Sequence, residues 1–168
     1  MQIRQTNQRF NFDKYPNFDR DIDPKQRAWI EVNGEAIEKN VRQLRSKLSK
    51  SCQFMAVVKA DGYGHDSKVV SEYAIKGGAS QLGVATLKEG IKLRSSGVNK
   101  PILVLGNLYT KKDLIIAFKN DLMPTISSLR ECLICNNIGK HFGLKFLLHL
   151  IRQFITISLL IQDQELVM

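Results

Sequence analysis

The chain has 168 residues, of which 43% are hydrophobic and 24% charged, the composition of an ordinary globular domain long enough to bury a core. It falls short of a complete eight-stranded α/β barrel, which needs roughly 200 residues or more. A net charge of +9 admits an anionic partner, but the basic residues are scattered without a run of five, which argues against a dedicated nucleic-acid binder.

In chain order, residues 1 to about 26 are polar, mixed in charge and aperiodic, and predict a disordered or loosely attached arm. The arm's aspartates do not suit a transit peptide, and it lacks the apolar core of a secretion signal. Ala28 to Val32 alternates as a short strand. Asn33 is placed to cap a helix with Ile37, Val41, Leu44 and Leu48 on one stripe. A strand enters Lys59, and Asp66 then caps a helix carrying Val69, Val70, Tyr73 and Ala74, which Gly77-Gly78 ends with a left-handed residue. Gln81 to Ala85 is the next strand. Thr86 and Glu89 form a capping box for a helix that Gly97 closes. Ile102 to Leu105 is a strand, and Thr110 starts a helix ending near Asn120. Leu122 to Ile126 is a further strand, with Pro124 admissible near an end or an edge. Ser128 and Glu131 open one more helix, and Leu144 to Leu150 reads as a last strand.

Strands that start near 53, 81, 102, 122 and 144 repeat a βα unit about every twenty to twenty-eight residues, the rhythm of right-handed parallel βαβ construction. The rhythm fits a barrel and an open doubly wound sheet equally well. Three cysteines without a secretion signal predict a reducing, cytoplasmic setting. Cys132 and Cys135 have redox or zinc spacing, yet no second pair follows, so they read as small buried hydrophobes and no metal is expected. The apolar run Phe146 to Ile161 is interrupted by His149, Arg152 and Gln153 and falls short of a membrane span.

The chemistry concentrates in Phe54-Met-Ala-Val-Val-Lys59-Ala-Asp-Gly-Tyr63-Gly-His65-Asp66. A buried parallel strand delivers a lysine to its carboxyl end, where α/β proteins place their chemistry. A partly desolvated amine there is a usable nucleophile or base, suited to Schiff-base formation. Considered alone, Tyr63 between two glycines reads as a partly buried packing residue, and His65 as a hydrogen-bonded structural histidine.

Val57-Val58-Lys59-Ala60-Asp61-Gly62-Tyr63-Gly64-His65 resembles the pyridoxal-phosphate attachment motif of the alanine racemase family, with Asp66 where the family usually has glycine. The similarity runs from about Arg27 to about Leu150 and includes Gly77-Gly78-Ala79, Leu82-Gly83-Val84-Ala85, Leu93-Arg94 and Pro101-Ile102-Leu103-Val104-Leu105-Gly106. It implies a partial TIM-type (β/α)8 barrel of about five βα units, the N-terminal part of an alanine racemase barrel domain, over residues 27–150. It further implies pyridoxal 5'-phosphate on Lys59, Tyr63 donating to the cofactor phosphate, and Val57 and Leu105 lining the cofactor. The implied reaction interconverts L-alanine and D-alanine for peptidoglycan precursors, in a homodimer whose partner supplies the second acid/base from a domain that nothing here matches. Ile151 stands where many members have a carbamylated lysine. Residues 151–168 abandon the family pattern, as a frameshift or early stop would produce, and the chain by itself is expected to racemise alanine negligibly. The alternatives are a noncatalytic remnant that binds pyridoxal phosphate and a cofactor-carrier type of barrel.

Overall fold

The computed structural model describes residues 2–5, 29–143, 145 and 147–150. Two sheets are present among them. Gln2–Gln5 (β1) pairs in parallel with Trp29–Val32 (β2), Ile3 opposite Ile30, a strand that the aperiodic start of the sequence did not announce. The second sheet is parallel, with five strands in the order of the chain: Met55–Val57 (β3), Gln81–Val84 (β4), Ile102–Asn107 (β5), Leu122–Ile126 (β6) and His149–Leu150 (β7). That order, with a helix after each of the first four strands, is the βα rhythm expected of a partial barrel. The chain forms two compact units, residues 1–82 and 83–168.

In the first unit, Asn33 accepts a hydrogen bond from the Ala36 amide at 2.9 Å and opens helix α1, Gly34–Ser46, a cap worth about 1 kcal/mol. Helix α3, Ser67–Lys76, is opened by Asp66, which accepts from the Lys68 and Val69 amides. Val41 of α1 and Ala74 of α3 bury together with Ala79, and Phe54 and Ala56 pack against them. The two helices meet closely at Gly77, where a Cβ would lie 2.8 Å from the Glu38 carbonyl, so no larger residue fits. The stripe predicted for α1 stops at Val41. Leu44 is 54% exposed, and Leu48 lies beyond the helix end, where the Arg45 guanidinium donates to the carbonyls of Ser49 and Lys50.

In the second unit, helices α4 (Leu87–Ser95) and α6 (Leu129–Phe142) each begin with a full capping box, from Thr86 with Glu89 and from Ser128 with Glu131. Helix α5, Lys111–Lys119, is capped by Thr110. The core is built from Leu93, Ile102, Leu103, Val104, Leu114, Ala117, Leu122, Ile126 and Ile138. Arg94 fastens the loops beneath it, donating to the carbonyls of Val98 and Lys100 at 2.7 Å and of Asp121 at 2.6 Å.

Pro124 corrects one expectation. It is fully buried in β6, a strand with neighbours on both sides, rather than at an end or an edge. Proline donates no hydrogen bond, and a bulge is the place where an inner strand tolerates that. The β5–β6 register shifts at this point, with Val104 opposite Pro124 and Asn107 opposite Thr125. The Thr125 hydroxyl donates to the Val104 carbonyl at 2.7 Å, so that buried acceptor is satisfied across the break.

The greater part of the predicted arm and the whole 151–168 tail lie outside the described residues. Among the described residues no helix is long and apolar enough to cross a membrane.

Candidate active site

Strand β3 is less covered than the buried strand expected from the sequence, with Met55 and Ala56 half-buried and Val57 open. Val58 is almost fully buried, Lys59 is half-buried and Val57 is 39% exposed. Lys59 therefore stands half-buried just past the strand's carboxyl end.

The backbone after Lys59 (α2, Lys59–Tyr63) was not legible in the sequence beyond its two glycines. Ala60, Asp61, Gly62, Tyr63 and Gly64 all have positive φ, between 51° and 83°, which makes one turn of left-handed helix. The Gly62 amide bonds to the Val58 carbonyl at 2.9 Å and the Gly64 amide to the Ala60 carbonyl at 3.0 Å. A left-handed conformation costs a residue with a Cβ about 1–2 kcal/mol, so Ala60, Asp61 and Tyr63 store strain that other contacts must offset. One such contact is the Asp61 carboxylate, which accepts from the Ser67 amide at 3.2 Å and hydroxyl at 2.9 Å. Another is His65, whose Nδ1 lies 3.1 Å from the Gly62 carbonyl and 3.0 Å from the Tyr63 carbonyl. The structural reading of His65 agrees with these bonds. Asp61 and Ser67 were missed by sequence reasoning; the signal was an aspartate, tolerant of left-handed backbone, six residues before a helix-start serine.

The turn carries Tyr63 outward, 58% exposed. A tyrosine that served only packing would be covered, so the packing reading of Tyr63 does not hold. The Lys59 amine and the Tyr63 phenol thus belong to one short segment.

Leu105 belongs to the second unit. Ile102, Leu103 and Val104 of β5 are buried, and Leu105 just beyond them is 37% exposed, an open apolar side chain in the carboxyl-terminal half of its strand. Cys132 and Cys135 lie one turn apart in α6. Burial is the main influence raising both thiols, with Glu131 adding to it, and Cys135 is pushed up to about 11, so the thiolate that metals and disulfide exchange require is disfavoured. Among the described residues no cluster of three or more histidine, cysteine or acidic residues is placed to hold a metal.

Comparison with known proteins bears on this geometry. Residues 32–151 match the family model for the alanine racemase N-terminal domain. An alanine racemase of Prochlorococcus marinus is 54% identical over 129 residues, covering 77% of this chain and 33% of that protein. One from Nostoc is 47% identical over 112 residues, covering 67% and 29%. The crystal structure of alanine racemase from E. faecalis aligns with a TM-score of 0.58 at 34% identity, covering 61% of this chain and 27% of that one. The chain thus spans about a third of the length of the curated relatives it matches.

Proposed function

The chain belongs to the alanine racemase family through its N-terminal domain, and on that premise we propose that it forms the pyridoxal-phosphate-binding part of an enzyme interconverting L-alanine and D-alanine, the latter a peptidoglycan precursor. The observation that carries this is the half-buried Lys59 at the end of β3, followed at once by a strained turn that exposes Tyr63. The residues fit the cofactor. Lys59 offers the amine its aldehyde needs, the Tyr63 phenol offers a donor to its phosphate, and the partly open side chain of Val57 offers apolar cover.

When bound, pyridoxal phosphate supplies a ring that withdraws electrons from the substrate Cα. Lys59 would hold the cofactor through its amine and, once freed from it, would take or return the Cα proton on one face. Tyr63 would hold the phosphate by its phenol. Racemisation requires a second acid/base on the other face, which in this reading a partner subunit supplies. A second reading, cofactor binding without turnover, is favoured by the single acid/base that the reading places in the described residues.

The test is addition of pyridoxal phosphate to the full chain. A band at about 420 nm, characteristic of lysine-bound pyridoxal phosphate, is expected and should vanish in Lys59→Ala. A band that survives the substitution would sink the assignment. Alanine turnover by the chain alone is expected to be negligible, and appreciable Lys59-dependent turnover would show that this one segment suffices.

A further inference from the structure

We propose that His65 is the positioning residue for Tyr63. Its imidazole holds the left-handed turn shut so that the phenol meets the phosphate of the cofactor, an inference that rests on the reading above. Nδ1 faces two carbonyl oxygens, those of Gly62 at 3.1 Å and of Tyr63 at 3.0 Å. Carbonyls only accept, so Nδ1 carries the hydrogen and is shared between them. These two carbonyls bracket Tyr63 along the backbone, and holding both fixes the peptide planes on either side of its Cα.

Tyr63 needs such a restraint. Its φ is +55°, a conformation that an L side chain does not adopt by preference, and with 58% of its surface exposed its own packing does little to hold it. The bonds from the Gly62 and Gly64 amides run along the turn, the His65 amide donates to the Gly62 carbonyl at 3.2 Å, and Asp61 ties the turn to Ser67. The His65 imidazole adds a bond to the carbonyl of Tyr63 itself. The imidazole itself is exposed, so its removal opens no core cavity, and its effect passes through the turn.

The experiment compares the full chain with His65→Ala and His65→Asn, the asparagine amide being able to donate from a position near that of Nδ1. In the ligand-free chain, His65→Ala should speed amide exchange at Gly64 and His65 about tenfold, the effect of losing one hydrogen bond, and His65→Asn should largely restore it. His65→Ala should also weaken pyridoxal phosphate about tenfold while leaving pyridoxal, which lacks the phosphate, unchanged. Adding Tyr63→Phe to His65→Ala should then cost little more, because the phenol is already misplaced. Unchanged exchange at Gly64 and His65 overturns the clamp. Equal weakening of the two cofactor forms overturns the link to the phosphate. A chain showing no Lys59-dependent band overturns the functional reading and the phosphate contact with it, while amide exchange still decides whether His65 holds the turn.

Discussion

After β4 and again after β6 the chain enters its helix through a capping box; after β3 it passes through a left-handed turn. The two boxes are nearly superimposable in their chemistry. Glu89 accepts from the amides of Ala85 and Thr86 at 2.8 and 3.0 Å, and Glu131 from those of Ser127 and Ser128 at 2.7 and 3.2 Å. Both satisfy amides at a helix start and leave the backbone relaxed. The segment after β3 postpones its cap to Asp66 and runs five residues in left-handed backbone, of which Ala60, Asp61 and Tyr63 carry a Cβ and are strained. In the proposed reading this strained connection is also the one that presents the reactive side chains.

Three measurements would break or sharpen that contrast. The largest expected effect is Glu131→Ala, which strips the partner from two amides in a partly buried setting and should cost about 2 kcal/mol in denaturant unfolding. Glu131→Gln, which keeps an acceptor oxygen, should cost distinctly less. Next comes Gly62→Ala, where φ is +67° and the new Cβ would lie 2.9 Å from Val70 Cγ2 and 3.2 Å from the Ser67 amide. A loss of about 1–2 kcal/mol is expected, together with weaker cofactor binding; a neutral result would mean that the turn does not need its left-handed form. The smallest is alkaline. Cys135 in α6 is raised from 9.0 to about 11, so its contribution is complete below pH 9 and fades as pH rises toward 11, because the unfolded thiol ionises first. At pH 10 this amounts to about 1 kcal/mol, and Cys135→Ala should flatten that part of the pH profile.

The capping residues were legible because their chemistry is local. Asn33, Asp66, Thr86, Thr110 and Ser128 each cap the helix that follows. Lys59 was legible because a run of apolar residues ending in a lysine has few other readings in an α/β chain, and the family resemblance narrowed them further. The left-handed turn was not, since Ala60 and Tyr63 have no preference for it and the short-range bonds from His65 and Asp61 that hold it leave no periodic mark. The α1 stripe was overread at Leu44 for a related reason: periodicity marks which side of a helix is apolar, and packing decides how far along it the core extends. Pro124 was placed at a border because sequence reveals the missing donor and conceals the neighbouring strand's accommodation.

That accommodation reaches further than its own hydrogen bonds. With Val104 opposite Pro124 and Asn107 opposite Thr125, Leu105 and Gly106 have no counterpart on β6, and the inward run of β5 ends there. An imino acid on one strand thus faces the place where its neighbour slips out of step, and the two residues left unmatched there, Leu105 and Gly106, are both open to solvent.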